Sequence, residues 1–240
     1  MPAASSAESA IELPARARVA MIALGWLPAL HLASCVAPVV WAIGWQAPRA
    51  AWLAPLMLYL PPPLVVRVVT WRWPMPVGRV DMSSAAFLRW WCTAQCQIIY
   101  SRWPWLEEGL RLVPGLYSAW LRMWGARVGS LVYWSPGVAV LDRSLVRIGD
   151  RVALGVGVRL VPHVIAPASD RRAALFVAPV TIGSGALIGA YSTLLPGCIV
   201  DAGEVTPPFR SVHAFSRWSH GRRARRPDPP LVESTDAVAH

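Results

Sequence analysis

The sequence predicts a mainly β fold, a stack of short parallel strands wound as a three-sided coil, with apolar α-helices in front of it. Three observations predict this. From Arg127 onward, strings of the type apolar–Gly/Asp–x–x–small–x recur every six residues. Before that point the chain carries two long runs without charge. The 240-residue sequence is 55% hydrophobic and only 15% charged, which is too apolar for an ordinary soluble domain.

Residues 1–18 read as a disordered N-terminus, small and polar at first and closing on Arg16 and Arg18. Residues 19–79 read as a membrane hairpin of two apolar helices. Residues 19–45 contain no Asp, Glu, Lys or Arg, long enough for the roughly 20 apolar residues a spanning helix needs. Pro28 and Pro38 predict kinks in it. The second uncharged run, residues 50–66, carries Pro61, Pro62 and Pro63, which predict a break. It reads either as a return crossing or as a re-entrant, interfacial segment. Arg16, Arg18, Arg67, Arg72 and Arg79 flank the pair, and only Arg49 lies in the turn. That asymmetry puts both ends in the cytoplasm, at the inner membrane of a bacterium. His31, inside the first run, reads as a neutral histidine hydrogen-bonded at a helix contact.

Residues 80–126 read as an amphipathic helical collar, started by a Ser83 or Ser84 cap and divided by Pro104 and Pro114. Its arginines alternate with tryptophans, which suits a helix in the headgroup layer or one packed under a globular domain. The net charge of +10 comes entirely from arginine, since the chain has no lysine. Arginines beside tryptophans and apolar spans favour lipid over nucleic acid as the partner of that charge. Cys35, Cys92, Cys96 and Cys198 fit neither a disulfide framework nor a zinc site, and no metal is expected.

Residues 127–208 hold the repeat. Read in register it gives LDRSLV, IGDRVA and LGVGVR, then IGSGAL, IGAYST, LLPGCI and VDAGEV, with leading residues Leu141, Ile148, Leu154, Ile182, Ile188, Leu194 and Val200. One hexad cannot bury itself, whereas stacked hexads can. Each makes one flat strand, three make one triangular turn, and turns stack about 4.8 Å apart. The apolar leader points inward, and Gly or Asp takes the corner. Between the two blocks the pattern stops at His163 and restarts at Pro179. A smooth prism offers no pocket. A loop leaving it at residues 164–178 can wall off a cleft, with His163 at its base. Residues 209–240 read as a basic C-terminal tail, with SHGRRARRPDPP as a linker.

The stretches VAVLDRSLVRIGDRVALGVGVRLVPH, APVTIGSGALIGAYSTLLPGCIV and VTPPFRSV resemble the hexapeptide-repeat acyltransferases, specifically their galactoside/maltose acetyltransferase branch. The resemblance covers about a third of the chain. It implies a left-handed parallel β-helix, a homotrimer with active sites between subunits, acetyl-CoA or another acyl-CoA as donor, and a hydroxyl or amine as acceptor. It implies His163 as general base. It places the donor along Gly185, Ala186, Ala190 and Ser192, with Arg210 among the arginines that meet either CoA phosphates or anionic lipid. Ser135 falls where the family often carries an acceptor-binding Asn, so the acceptor differs from a simple sugar. Asp142 reads as a corner residue or as one that orients a neighbour at the acceptor site. The function implied is a membrane-anchored acyltransferase acting on a lipid-linked, glycan or lipophilic acceptor. The alternative is a noncatalytic trimeric β-helix scaffold at the membrane, which has no use for a histidine at a break in the repeat.

Overall fold

The structure, a computed structural model, describes residues 15–45, 48–167 and 173–225. The expectations for residues 1–14 and 226–240 lie outside it. Helices α1 (Ala15–Gly25) and α2 (Leu27–Gly44) run into a 3-10 turn (Pro48–Trp52), then α3 (Leu53–Tyr59) and α4 (Pro61–Arg72). The stretches Ala15–Gly44 and Pro48–Arg72 are each long and apolar enough to cross a membrane. Their outer surface is bare of polar cover: Ile22, Trp26, Val40, Trp45, Trp52, Val68 and Trp71 are all exposed.

The three prolines divide the second segment at Leu60, between α3 and α4, as expected; the helix resumes at once, with Leu64 N donating to Leu60 O at 3.3 Å. The reason lies in the carbonyls one turn back. Residues 61–63 have no N–H, so Met57, Leu58 and Tyr59 lose their helical donors. Each carbonyl finds another. His31 Nε2 of α2 lies 2.9 Å from Met57 O, the Tyr100 hydroxyl donates to Leu58 O, and Trp120 Nε1 donates to Tyr59 O at 2.9 Å.

After a short strand β1 (Gly78–Val80) comes the collar: α5 (Ala85–Arg102), α6 (Trp105–Arg111) and α7 (Leu116–Met123). The Ser84 hydroxyl caps α5 by accepting from Phe87 N at 3.2 Å. The strands follow turn by turn. The first turn has β2 (Arg127–Val128), β3 (Tyr133–Trp134) and β4 (Ala139–Val140); the second has β5 (Val146–Ile148), β6 (Ala153–Leu154) and β7 (Arg159–Leu160). An excursion, β8 (His163–Pro167) and β9 (Ala173–Val177), intervenes. The third turn has β10 (Val180–Ile182), β11 (Leu187–Ile188) and β12 (Thr193–Leu194), and the fourth has β13 (Ile199–Val200), β14 (Val205–Thr206) and β15 (Ser211–Val212). β16 (Ser216–Ser219) and β17 (Arg222–Arg225) close the stack.

Strands one turn apart pair in parallel, giving three sheets. The first carries the inward ladder Val128, Ile148, Ile182, Val200 and Trp218; the second Trp134, Leu154, Ile188 and Thr206; the third Val140, Leu160, Leu194 and Val212. The glycine after the inward residue has a steric cause. At Gly189 a Cβ would sit 2.4 Å from Pro208 N of the next turn, and Gly149, Gly155 and Gly183 meet backbone just as closely.

Two expectations are corrected here. The inward residue of the first turn is Val140, not Leu141, because a 3-10 turn at Arg143–Leu145 lengthens the step to Ile148 by two residues. The stack also continues past residue 208: β15, β16 and β17 all lie there, and β17 pairs antiparallel with β16, so the expected tail begins later than residue 209. Trp218, buried under the last turn, supplies the apolar leader that a tail would lack.

The lengthened corner drops Arg143 into the collar. Its guanidinium, 1% exposed, donates to Glu107 (Nε to Oε1, 2.9 Å) and lies 5.4 to 5.6 Å from the ring centroids of Tyr100, Trp120 and Trp124. Gln97 Oε1 accepts from Arg143 N at 2.8 Å, and the Tyr117 hydroxyl donates to Glu107 Oε2 at 2.7 Å.

Trp120→Phe keeps the ring packing and strands the Tyr59 carbonyl. The expected loss is about 1–3 kcal/mol of unfolding free energy, read by denaturant titration in detergent. No change would show that the carbonyl has another donor.

Candidate active site

His163 opens β8 at the point where the stack is interrupted. β8 and β9 form an antiparallel hairpin whose far edge pairs with β1 of the same chain, so Val177 faces both His163 and Gly78. The sheet rests on Val80, Met82, Phe87, Trp90, Leu145, Leu175 and Val177. The excursion was expected as a loop that walls off a cleft. Its described part is a hairpin packed on its own chain, where Val80, Leu175 and Val177 bury their side chains with Phe87 and Trp90 of α5. Residues 168–172, at its turn, lie outside the described residues.

The imidazole is 23% exposed. Nδ1 is hydrogen-bonded to Asp142 Oδ2, and the ring sits 4.8 Å from the Trp90 ring at 62°. Trp90 Nε1 donates to the other carboxylate oxygen, Oδ1, at 3.0 Å. Asp142 is 4% exposed and both of its oxygens are engaged. Its partners are His163 and Trp90, which fits the expectation of a residue that orients a neighbour. A carboxylate can only accept from Nδ1, so the proton sits there and Nε2 carries the free lone pair. Nε2 has no partner among the described residues. Burial pushes the imidazole pKa down, while the hydrogen bond and charge of Asp142 push it up; the carboxylate prevails and the pKa lies above the ordinary histidine value.

The corner is built by local sequence. Asp142 holds a left-handed backbone, φ 41°, which Asp tolerates better than most residues. Arg143 beside it is anchored in the collar. Trp90 was not foreseen as part of this site; an indole N–H buried beneath a β domain needs an acceptor, and that requirement is the only signal the sequence offers.

The other expected residues are not gathered here. Ser135 follows β3 at a different corner, the one between the second and third sheets, where its N–H donates to Leu154 O at 3.2 Å. Ala190 and Arg210 share that corner, and Arg210 is exposed with its guanidinium carbon 5.7 Å from the Trp218 ring. Gly185 lies at the corner between the first and second sheets with φ +73°. Ala186 and Ser192 are 1% and 0% exposed. They are the small residues of their hexads and point into the prism, where Ser192 Oγ donates to Pro207 O at 3.2 Å and accepts from Arg210 N at 3.1 Å. Both side chains are thus buried inside the stack, away from its outer surface. Among the described residues no cluster of His, Cys, Asp or Glu could hold a metal ion.

No family model and no curated protein matches the chain. Solved structures do. A hexapeptide-repeat acetyltransferase from Vibrio cholerae, in complex with acetyl-coenzyme A, is 17% identical, with a TM-score of 0.38, over 52% of this chain and 84% of its own. A maltose O-acetyltransferase from Clostridium difficile gives 16%, 0.32, 54% and 88%. A galactoside acetyltransferase in complex with coenzyme A gives 15%, 0.30, 50% and 78%. The proteins to which this chain is similar are thus acetyltransferases, hexapeptide-repeat and sugar-acetylating ones among them.

Proposed function

We propose that the chain is a membrane-anchored acyltransferase whose three parallel sheets wind as a left-handed β-helix. It moves an acetyl or other acyl group from acyl-CoA to a hydroxyl or amine of a lipid-linked, glycan or lipophilic acceptor. The observation that carries this reading is the imidazole at the break in the stack, held through Nδ1 by Asp142 and left with a free Nε2. Nε2 takes the proton from the acceptor O–H or N–H as the heteroatom attacks the thioester carbonyl. The carbon–sulfur bond then breaks and the CoA thiolate leaves, collecting that proton from the imidazolium. His163 ends as it began, and no acyl-enzyme is needed. Arg210 offers an exposed guanidinium for a donor phosphate.

Two further features support the membrane and self-association parts of the reading. The apolar outer surface of α1–α4 suits lipid, and the flanking arginines favour a cytoplasmic prism at a bacterial inner membrane. The outward side of the second sheet is apolar, with Tyr133 at 65%, Leu187 at 46% and Val205 at 57% exposure. The first sheet presents Arg127, Arg147 and Arg217 instead. An apolar stripe on a flat sheet fits a contact between copies, here a trimer with a cleft at each contact.

His163→Ala should lower acyl transfer about 10²–10⁴-fold, read by mass spectrometry of the lipid fraction with each protein. An unchanged acylated product would remove His163 as base. In wild type the rate should rise with pH through a midpoint above the ordinary histidine value, since only the neutral imidazole accepts a proton. Asp142→Asn withdraws the charge that favours the imidazolium, so the midpoint moves to lower pH while the plateau falls with the lost orientation. A pH–rate profile with an unmoved midpoint would contradict the pairing. Leu187→Glu should dissociate the assembly, visible as a mass drop to one chain in light scattering; a mass that stays the same would place the contact elsewhere.

A further inference from the structure

α5 has two working sides. Trp90 and Gln97 lie seven residues apart, on one side, facing the prism. Trp91, Gln95, Ile98 and Arg102 follow the i, i+4, i+7, i+11 pattern of another side, where Trp91 Nε1 donates to Met21 O of α1 at 3.2 Å. There a cavity of about 280 Å³ opens between the α1–α2 junction and α5, lined by Gly25, Pro28, Leu32, Gln95, Ile98, Ile99, Arg102 and Trp103.

Gln95 is the polar side chain on the cavity's inner wall. It is 6% exposed, and its carboxamide makes no hydrogen bond among the described residues. Its polar atoms open on the cavity rather than being sealed in protein, so they are free to meet a polar group brought in from outside. The remaining walls are aliphatic, and the rim carries an exposed arginine and a tryptophan. Gln95 and Arg102 lie about 10 Å apart along the helix. Once the arginine's long side chain is counted, that suits one molecule with a phosphate, an ester linkage and a hydrocarbon chain in sequence.

We propose that this cavity binds one anionic glycerophospholipid. Its phosphate pairs with Arg102, an ester carbonyl accepts from the Gln95 carboxamide, and the start of a chain lies along Leu32, Ile98 and Ile99. The exposed apolar flanks of α1 and α2 lead into the cavity, so the rest of the lipid remains in hydrocarbon. The site is on the opposite side of α5 from His163 and takes no part in the acyl transfer proposed above.

The test uses the full chain purified in dodecyl maltoside and native mass spectrometry. The probes are dioleoyl-phosphatidylglycerol, dioleoylglycerol, which lacks the phosphate, and glycerol 3-phosphate, which lacks the chains. The expected result is one phosphatidylglycerol retained per chain, at least tenfold more tightly than dioleoylglycerol, with no competition from glycerol 3-phosphate. Arg102→Gln should reduce phosphatidylglycerol to the level of dioleoylglycerol. Gln95→Leu and Ile98→Trp, the latter filling the cavity without removing a polar group, should each weaken binding about tenfold. Wild-type affinity in both of these variants would overturn the site, as would non-saturating uptake with no preference for phosphate. Effective competition by glycerol 3-phosphate would make it a soluble-phosphate site and overturn the lipid. Binding is read without catalysis, so a chain that transfers no acyl group still gives a decisive result.

Discussion

A guanidinium buried under the prism cannot stand alone, and that constraint organises the molecule. Removing one partner from a buried ion pair typically costs about 3–5 kcal/mol, so Arg143 and Glu107 fix the first corner of the stack against α6. The 3-10 turn with its two extra residues carries Arg143 to Glu107, and Asp142 beside it holds the left-handed conformation. Asp142 then points up to His163 while Arg143 points down into the aromatic cage. The departure from six-residue phasing is therefore where the helices and the candidate active site are joined.

α5 passes this constraint on to the rest of the chain. On its prism side it supplies Trp90 to Asp142 and Gln97 to the Arg143 backbone. On its other side Trp91 ties it to α1. The second apolar segment is held by its own prolines: three carbonyls freed by residues 61–63 draw donors from α2, α5 and α7. The same residues that kink the segment thus bolt it to the collar, since none of those carbonyls has a cheaper partner in an apolar setting.

The prism itself needs no such bolts. Its turns stack on backbone hydrogen bonds and on inward ladders of Ile, Leu and Val, and closeness of approach dictates glycine at positions such as 183 and 189. A stack this regular has no intrinsic concavity. Chemistry enters only where regularity fails, at the β8–β9 excursion and the lengthened corner facing it.

The sequence by itself determined the parts governed by period. Residues such as Ile148, Leu154, Ile182 and Ile188 announce inward positions through their six-residue spacing, and uncharged runs of sufficient length announce apolar helices. His163 stood out because it sits where the period stops. The pairing of Asp142 with His163, 21 residues apart in the chain, and of Trp90 with Asp142, 52 apart, was decided only by the tertiary structure, as was the inward burial of Ala186 and Ser192. Spacing along a chain records which residues share a face, but not which faces meet, and the meeting of α5, the corner and the hairpin is set by burying Arg143 and the Val80–Leu175–Val177 cluster together.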